Sequence, residues 1–165
     1  MKGENTKQKI IETALTLFSE RGYDAVSVGE IAEAVGIKAP SLYNHYPSKQ
    51  AIFDAIVETT ALQYEKDTGR IDIHVQRAAA DIPMLMTIGE EELFEKVRQI
   101  FDYSLHNDNI RKFRKMMTIE QFRSPSLGEL YTRRFSERLV DYHAEIFRSL
   151  IAAGVIYGGD TNALA

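Results

Sequence analysis

The chain has 165 residues, no cysteine, a net charge of −4, and 44% hydrophobic and 27% charged residues. Disulfides and thiolate-metal sites are excluded, and the negative balance argues against indiscriminate nucleic-acid binding. No apolar run approaches the roughly 18 residues needed to cross a membrane, and the polar start MKGENTKQK has no signal-peptide core, so a cytoplasmic protein without membrane attachment is expected.

Low proline content and the lack of long turn-rich stretches point to an all-α protein. Residues 6–21 carry Ile10, Ile11, Ala14, Leu15, Leu17 and Phe18 at helical spacing, with Gly22 as the C-terminal cap. Lys2, Lys7 and Lys9 cluster at its start, either within reach of a phosphate backbone or at a solvated terminus.

The stretch Ser27–Lys49, SVGEIAEAVGIKAPSLYNHYPSK, reads as two short helices joined at Gly36, with a third starting near Ser48. Ser27 and Glu30 have the capping-box spacing, in which each side chain satisfies the other's backbone donor. Ile31, Ala32 and Val35 form the inward face, and Gly36 followed by Ile37 suits a left-handed helix end with an apolar residue packing back. Pro40 fits the first turn of the second helix, where no N–H is needed, and Leu42 and Tyr46 lie four apart on its inward face. Ala39, Pro40, Ser41, Asn44 and His45 are left outward, with Tyr43 beside them. This is the pattern of a DNA-binding helix-turn-helix; an ordinary helical hairpin is the other reading. Residues 1–50 hold six bases (Lys2, Lys7, Lys9, Arg21, Lys38, Lys49) and six acids (Glu4, Glu12, Glu20, Asp24, Glu30, Glu33), so any DNA contact depends on where the bases sit.

Ile52, Phe53, Ile56, Val57, Thr60 and Tyr64 define a long helix ending near Gly69. A helix is expected over 70–82, and the segment 84–88, between Pro83 and Gly89, is expected to be irregular. Residues 90–106 are helical, with Leu93, Phe94, Val97, Ile100, Phe101, Ser104 and Leu105 on one face and an acidic first turn. The next helix, about 109–122, is apolar on more than one side and should lie between others. The last, about 125–153, carries a stripe with spacings of three and four that suits a helix-packing seam. Asp102 and His106 are four apart, a spacing open to a metal pair, an exposed helical pair or a histidine in a cavity. No phosphate-cradling glycine loop, Gly-x-Ser-x-Gly or His-Glu-x-x-His occurs, so catalysis has no support and no metal or cofactor is expected.

The segment Ile10–Phe53 closely resembles the TetR family of bacterial transcriptional regulators. Phe18, Gly22-Tyr23, Ser27, Ile31-Ala32, Gly36-Ile37, Leu42-Tyr43-Asn44-His45-Tyr46 and Lys49 stand in the family's order. The resemblance implies a helix-turn-helix domain over residues 1–47 and a helical ligand-binding and dimerisation domain over 48–165. It implies a dimeric regulator, most often a repressor, that binds double-stranded operator DNA and is released by a small-molecule effector. The alternative is a helical ligand-binding or protein-interaction module without specific DNA recognition. Carried over position by position, Ser27 would cap its helix against a phosphate, and Ala39, Pro40, Ser41 and Asn44 would face base edges. Tyr43 and His45 would reach phosphate or base, Lys49 would hold the backbone, and Lys38, where the family often has a small residue, would add a phosphate or guanine contact. An effector pocket is expected from Tyr103, His106, Phe113, Met117, Phe122 and Tyr131. A homodimer interface is expected from Phe135, Leu139, Tyr142, Ile146, Phe147 and Leu150. The family's bundle has one more helix after this seam, so the last helix is expected to be missing through truncation at the C-terminus.

Overall fold

The computed structural model describes residues 2–74, 77–122, 129, 137–157 and 160–161. Among them are eight helices and no strand: α1 Lys2–Arg21, α2 Val28–Val35, α3 Ala39–Tyr43, α4 Lys49–Gly69, α5 Ala78–Leu85, α6 Glu90–His106, α7 Asp108–Glu120 and α8 Arg138–Ala152. The contacts divide the protein into two units, residues 1–62 with 105–128 and residues 63–104 with 129–165. These units do not follow the expected boundary at 47/48, because α7 packs against α1.

The first unit is built around α1. Ile10, Ala14, Leu15 and Phe18 are buried on one of its faces, as the helical period requires. Ile31, Val35 and Leu42 from the short helices, and Ile52, Phe53 and Ile56 from α4, complete that core. From α7 come Ile110, Phe113, Met116 and Met117, all buried. This helix, expected to lie between others, buries a face of mixed aliphatic, aromatic and sulfur side chains. Phe122, just beyond it, is 83% exposed.

In the second unit α5 packs on α8 through Ala78, Tyr142 and Ile146, with Ile82, Leu85 and Leu150 partly buried around them. Asp81 is the polar centre of this contact. Its carboxylate is almost fully buried and accepts the His74 backbone N–H at 2.9 and 3.1 Å, lies 2.8 Å from His74 Nδ1, and accepts the Tyr142 hydroxyl at 2.5 Å. A buried carboxylate is tolerable only with such a partner set.

Two expectations are corrected here. The helix foreseen over 70–82 starts only at Ala78, after a turn in which Asp72 has φ 56°. The left-handed residue breaks the period that composition alone suggested. Pro83 lies inside α5 rather than ending it, so the Ala79 carbonyl, four residues back, goes without the helical N–H donor it would otherwise receive. The long helix expected over 125–153 is described from Arg138 on; Tyr131 and Phe135 lie outside the described residues.

Phe18 is fully buried against Tyr23 and Phe53, at ring separations of 5.2 and 6.5 Å. Phe18→Ala should cost about 3–5 kcal/mol. Phe94→Ala, at a site 70% exposed, should stay within about 0.5 kcal/mol. Urea unfolding followed by circular dichroism separates the two; equal midpoints would contradict this packing.

Candidate nucleic-acid interface and ligand cavity

The helix pair forms locally as its sequence dictates. Ser27 takes an extended backbone, its hydroxyl accepts the Glu30 N–H at 3.2 Å, and the Glu30 carboxylate accepts the Ser27 N–H at 2.7 Å. Gly36 has φ 83°, a conformation that would strain any other residue, and the Ile37 N–H returns to the Ala32 carbonyl at 2.9 Å. Lys9 adds a second clasp, donating from Nζ to the Val35 carbonyl at the C-terminus of α2 at 2.8 Å. That lysine, expected at a phosphate or in solvent, caps a helix.

Lys38 is the N-cap of α3 and is exposed, with no side-chain capping bond. Leu42 anchors α3 at 0% exposure. Around that anchor Pro40, Ser41, Tyr43 and Asn44 are exposed, and Ala39 and His45 are half-buried. The sequence-derived set Lys38–His45 is therefore brought together on and beside one five-residue helix.

Lys49 sits differently. Its ammonium donates to the carbonyls of Tyr23 and Val26, both at 2.9 Å, and lies 4.2 Å from the Tyr23 ring centroid. Two of its three donors are thus spent inside the protein, closing the loop between α1 and α2. The Tyr23 N–H in turn donates to Glu120 Oε1 at 2.8 Å, and Glu120 is 1% exposed. Sequence reasoning missed Glu120. The signal was an acid three and four residues after Met117 and Met116, on the apolar face of its helix.

Electrostatically, the capping box is the strongest feature of this region. Hydrogen bonds from the Ser27 backbone and hydroxyl, then the Arg21 guanidinium 2.7 Å away, hold the Glu30 carboxyl down at about 2. Burial pushes the Tyr23 phenol up, helped by the charges of Asp54, Asp24 and Glu120.

The second unit holds a cavity of about 520 Å³, open to solvent along the exposed side chains of Val97 and Phe101, with an almost wholly apolar wall. Leu93, Val97, Ile100, Phe101 and Ser104 of α6 line one part of it. Leu139, Tyr142, His143, Ile146, Phe147 and Leu150 of α8 line another, and Tyr64, Ile73 and Leu85 complete it.

This cavity's lining differs from the residues expected for the pocket and includes most of those expected at the dimer seam. The α8 stripe read as a dimer seam (Leu139, Tyr142, Ile146, Phe147, Leu150) faces this cavity, and Tyr142 and Ile146 are each 7% exposed within a single protomer. A period of three and four fixes which residues share a face, but not what that face meets. Of the expected pocket residues, none that is described lines the cavity. Phe113 and Met117 are spent in the first unit's core, and Phe122 and His106 are exposed. Tyr103 donates to Asp67 at 2.8 Å and packs on Tyr64 at 5.8 Å.

An exposed short helix held at a fixed turn to a capped partner helix is the arrangement of a helix-turn-helix domain. Comparison with known proteins agrees. Residues 10–56 match the sequence model of "Bacterial regulatory proteins, tetR family". IcaR, the biofilm operon icaADBC HTH-type negative transcriptional regulator of Staphylococcus aureus, is 50% identical over 52 residues, which is 32% of this chain and 28% of IcaR. The match thus spans little more than a quarter of that relative. Among solved structures, a TetR-family transcriptional regulator from Mesorhizobium loti MAFF303099 aligns over 99% of this chain and 76% of its own, with a TM-score of 0.69 and 24% identity. A transcriptional regulator from Saccharomonospora viridis in complex with choline aligns over 98% and 78%, with a TM-score of 0.67 and 22% identity. The match to the family's sequence model is thus confined to residues 10–56, while the fold of the protein is that of TetR-family regulators. No described helix is long and apolar enough to cross a membrane.

Ser27→Ala should lower stability by about 1 kcal/mol, as loss of an N-cap does. The pH dependence has a defined sign. The Glu30 carboxyl titrates lower in the folded protein than its usual value of about 4.3, so its contribution is present above that value and fades as pH falls toward about 2. The melting-temperature advantage of the native protein over Glu30→Gln should therefore shrink across that window in a pH series of thermal melts.

Proposed function

We propose that this protein is a transcriptional regulator, acting as a repressor, that binds double-stranded operator DNA as a homodimer and is released by a small-molecule effector. The observation that carries this is the α2–α3 pair with Lys38, Pro40, Ser41, Tyr43 and Asn44 exposed around the buried Leu42, within a segment that matches the TetR-family model. IcaR's description as a negative regulator supports repression, and the cavity in the second unit supports effector control.

In this reading α3 enters the major groove. Ala39 and Pro40 offer only apolar contact, such as to a thymine methyl, so Ser41, Asn44 and DNA shape carry more of the readout. Tyr43, His45 and Lys38 reach phosphate oxygens or guanine, and the N-terminus of α2 at Ser27 faces a phosphate. Lys49 acts mainly by positioning, since its ammonium is already bound to two carbonyls. One neutral domain with few base-reading side chains binds DNA poorly alone. Two copies of α3 about one helical turn apart, roughly 34–36 Å, supply the affinity. A second reading, a ligand-binding module without operator recognition, is favoured by the apolar pair Ala39-Pro40 and by the equal numbers of bases and acids in residues 1–50.

Gel shifts with the DNA upstream of the protein's own gene decide between them. Specific binding that steepens as salt falls is expected, and no preference over random DNA would contradict the proposal. Tyr43→Ala should abolish binding while leaving stability within about 0.5 kcal/mol. Lys49→Ala should cost about 1–3 kcal/mol of stability, because two carbonyls lose their donor, and should weaken binding. Its salt slope should stay unchanged; a slope smaller by about one would instead mark a direct phosphate contact.

A further inference from the structure

We propose that the cavity of the second unit selects uncharged, largely apolar ligands, aromatic or alicyclic, and rejects both anions and cations. The inference deepens the effector-controlled reading above and rests on it for its biological role, but not for its test.

At about 520 Å³ the cavity falls in the range that holds a drug-sized molecule. No aspartate, glutamate, lysine or arginine is among its described lining residues. Four polar side chains do reach the wall, and each already has a partner inside the protein. The hydroxyls of Tyr64 and Ser104 lie 3.4 Å apart. The Tyr142 hydroxyl donates to Asp81, whose carboxylate is spent on His74 and Tyr142 and is 1% exposed, so it offers no counter-charge to a cation.

His143 stacks on Phe147 at 6.4 Å and 26°. Burial lowers its pKa from the ordinary value, against a hydrogen bond to the Leu139 backbone, and keeps the imidazole neutral near pH 7. It therefore supplies no positive charge for a carboxylate or sulfonate. An ion seated against this wall would give up hydration on the buried side and find no counter-charge among the described lining residues. A neutral ring system gains burial against Val97, Ile100, Ile146 and Leu150, and stacking positions at Phe101 and Phe147.

The test compares two probes with one skeleton. The full-length protein is titrated, without DNA, with N-phenyl-1-naphthylamine and with 8-anilinonaphthalene-1-sulfonate, which adds a sulfonate. The neutral probe should bind at one saturable site per protomer, at least tenfold tighter than the sulfonate, and excess phenyltrimethylammonium should not displace it. Val97→Trp should reduce the neutral probe's affinity at least tenfold. Val97 is 42% exposed, so the larger side chain is accommodated without disturbing the core, and an unchanged far-ultraviolet circular dichroism spectrum verifies the fold. Leu93→Trp, on the same helix at 37% exposure, is the second variant. Equal or tighter binding of the sulfonate, displacement by the ammonium, or indifference to both tryptophan variants would overturn the proposal. A gel shift on the same preparation keeps the two readings apart. Operator binding with no preference for the neutral probe overturns this inference and leaves the regulator; the preference without operator binding does the reverse.

Discussion

The backbone N–H of Tyr23 donates to a carboxylate 97 residues further along the sequence, that of Glu120, and the placement of the helix-turn-helix depends on this bond. Tyr23 belongs to the loop that joins α1 to α2. Its ring is wedged between Phe18 and Phe53, and its carbonyl, with that of Val26, takes the Lys49 ammonium. Four elements thus meet at one loop: α1 through Phe18, α4 through Phe53 and Lys49, α7 through Glu120, and α2, which begins two residues after Val26. The loop's polar groups could not be left buried without partners, so the charged residues are there to satisfy backbone. The α2–α3 pair is too small to bury itself and borrows its position from this junction.

The second unit rests on the same principle with different residues. Asp81 gathers the His74 backbone, the His74 ring and the Tyr142 hydroxyl, and so ties α5 to α8 along one wall of the cavity. Because the polar groups near that wall are paired with each other, the interior is left free for apolar contact. In both units a buried carboxylate fixes a helix by hydrogen bonding.

The local structure was legible in the sequence wherever one residue type has one physical use. Ser27 with Glu30, Gly36 with its positive φ, Pro40 in a first turn and Leu42 as anchor all stand as their chemistry requires. What periodicity left open was the partner of each face. The α8 residues share one face, as their spacing requires, and that face lines a cavity that the spacing did not announce, while Phe113 and Met117 of α7 belong to the first unit's core. Long-range polar bonds were invisible: nothing local to Glu120 or Lys49 announces that they share a loop. Lys49, expected at the DNA backbone, has an internal use. Its position matches the resemblance, while its ammonium is turned onto carbonyls of its own protein.

Amide hydrogen exchange at Tyr23, followed by nuclear magnetic resonance in the native protein and in Glu120→Ala, tests the dependence of the helix-turn-helix on this junction. The Tyr23 N–H should be strongly protected in the native protein, and its protection should collapse in the variant while the amides of the α1 interior keep theirs. A Tyr23 amide that exchanges as fast as unprotected loop amides in the native protein, or that keeps its protection without the Glu120 carboxylate, would contradict the account.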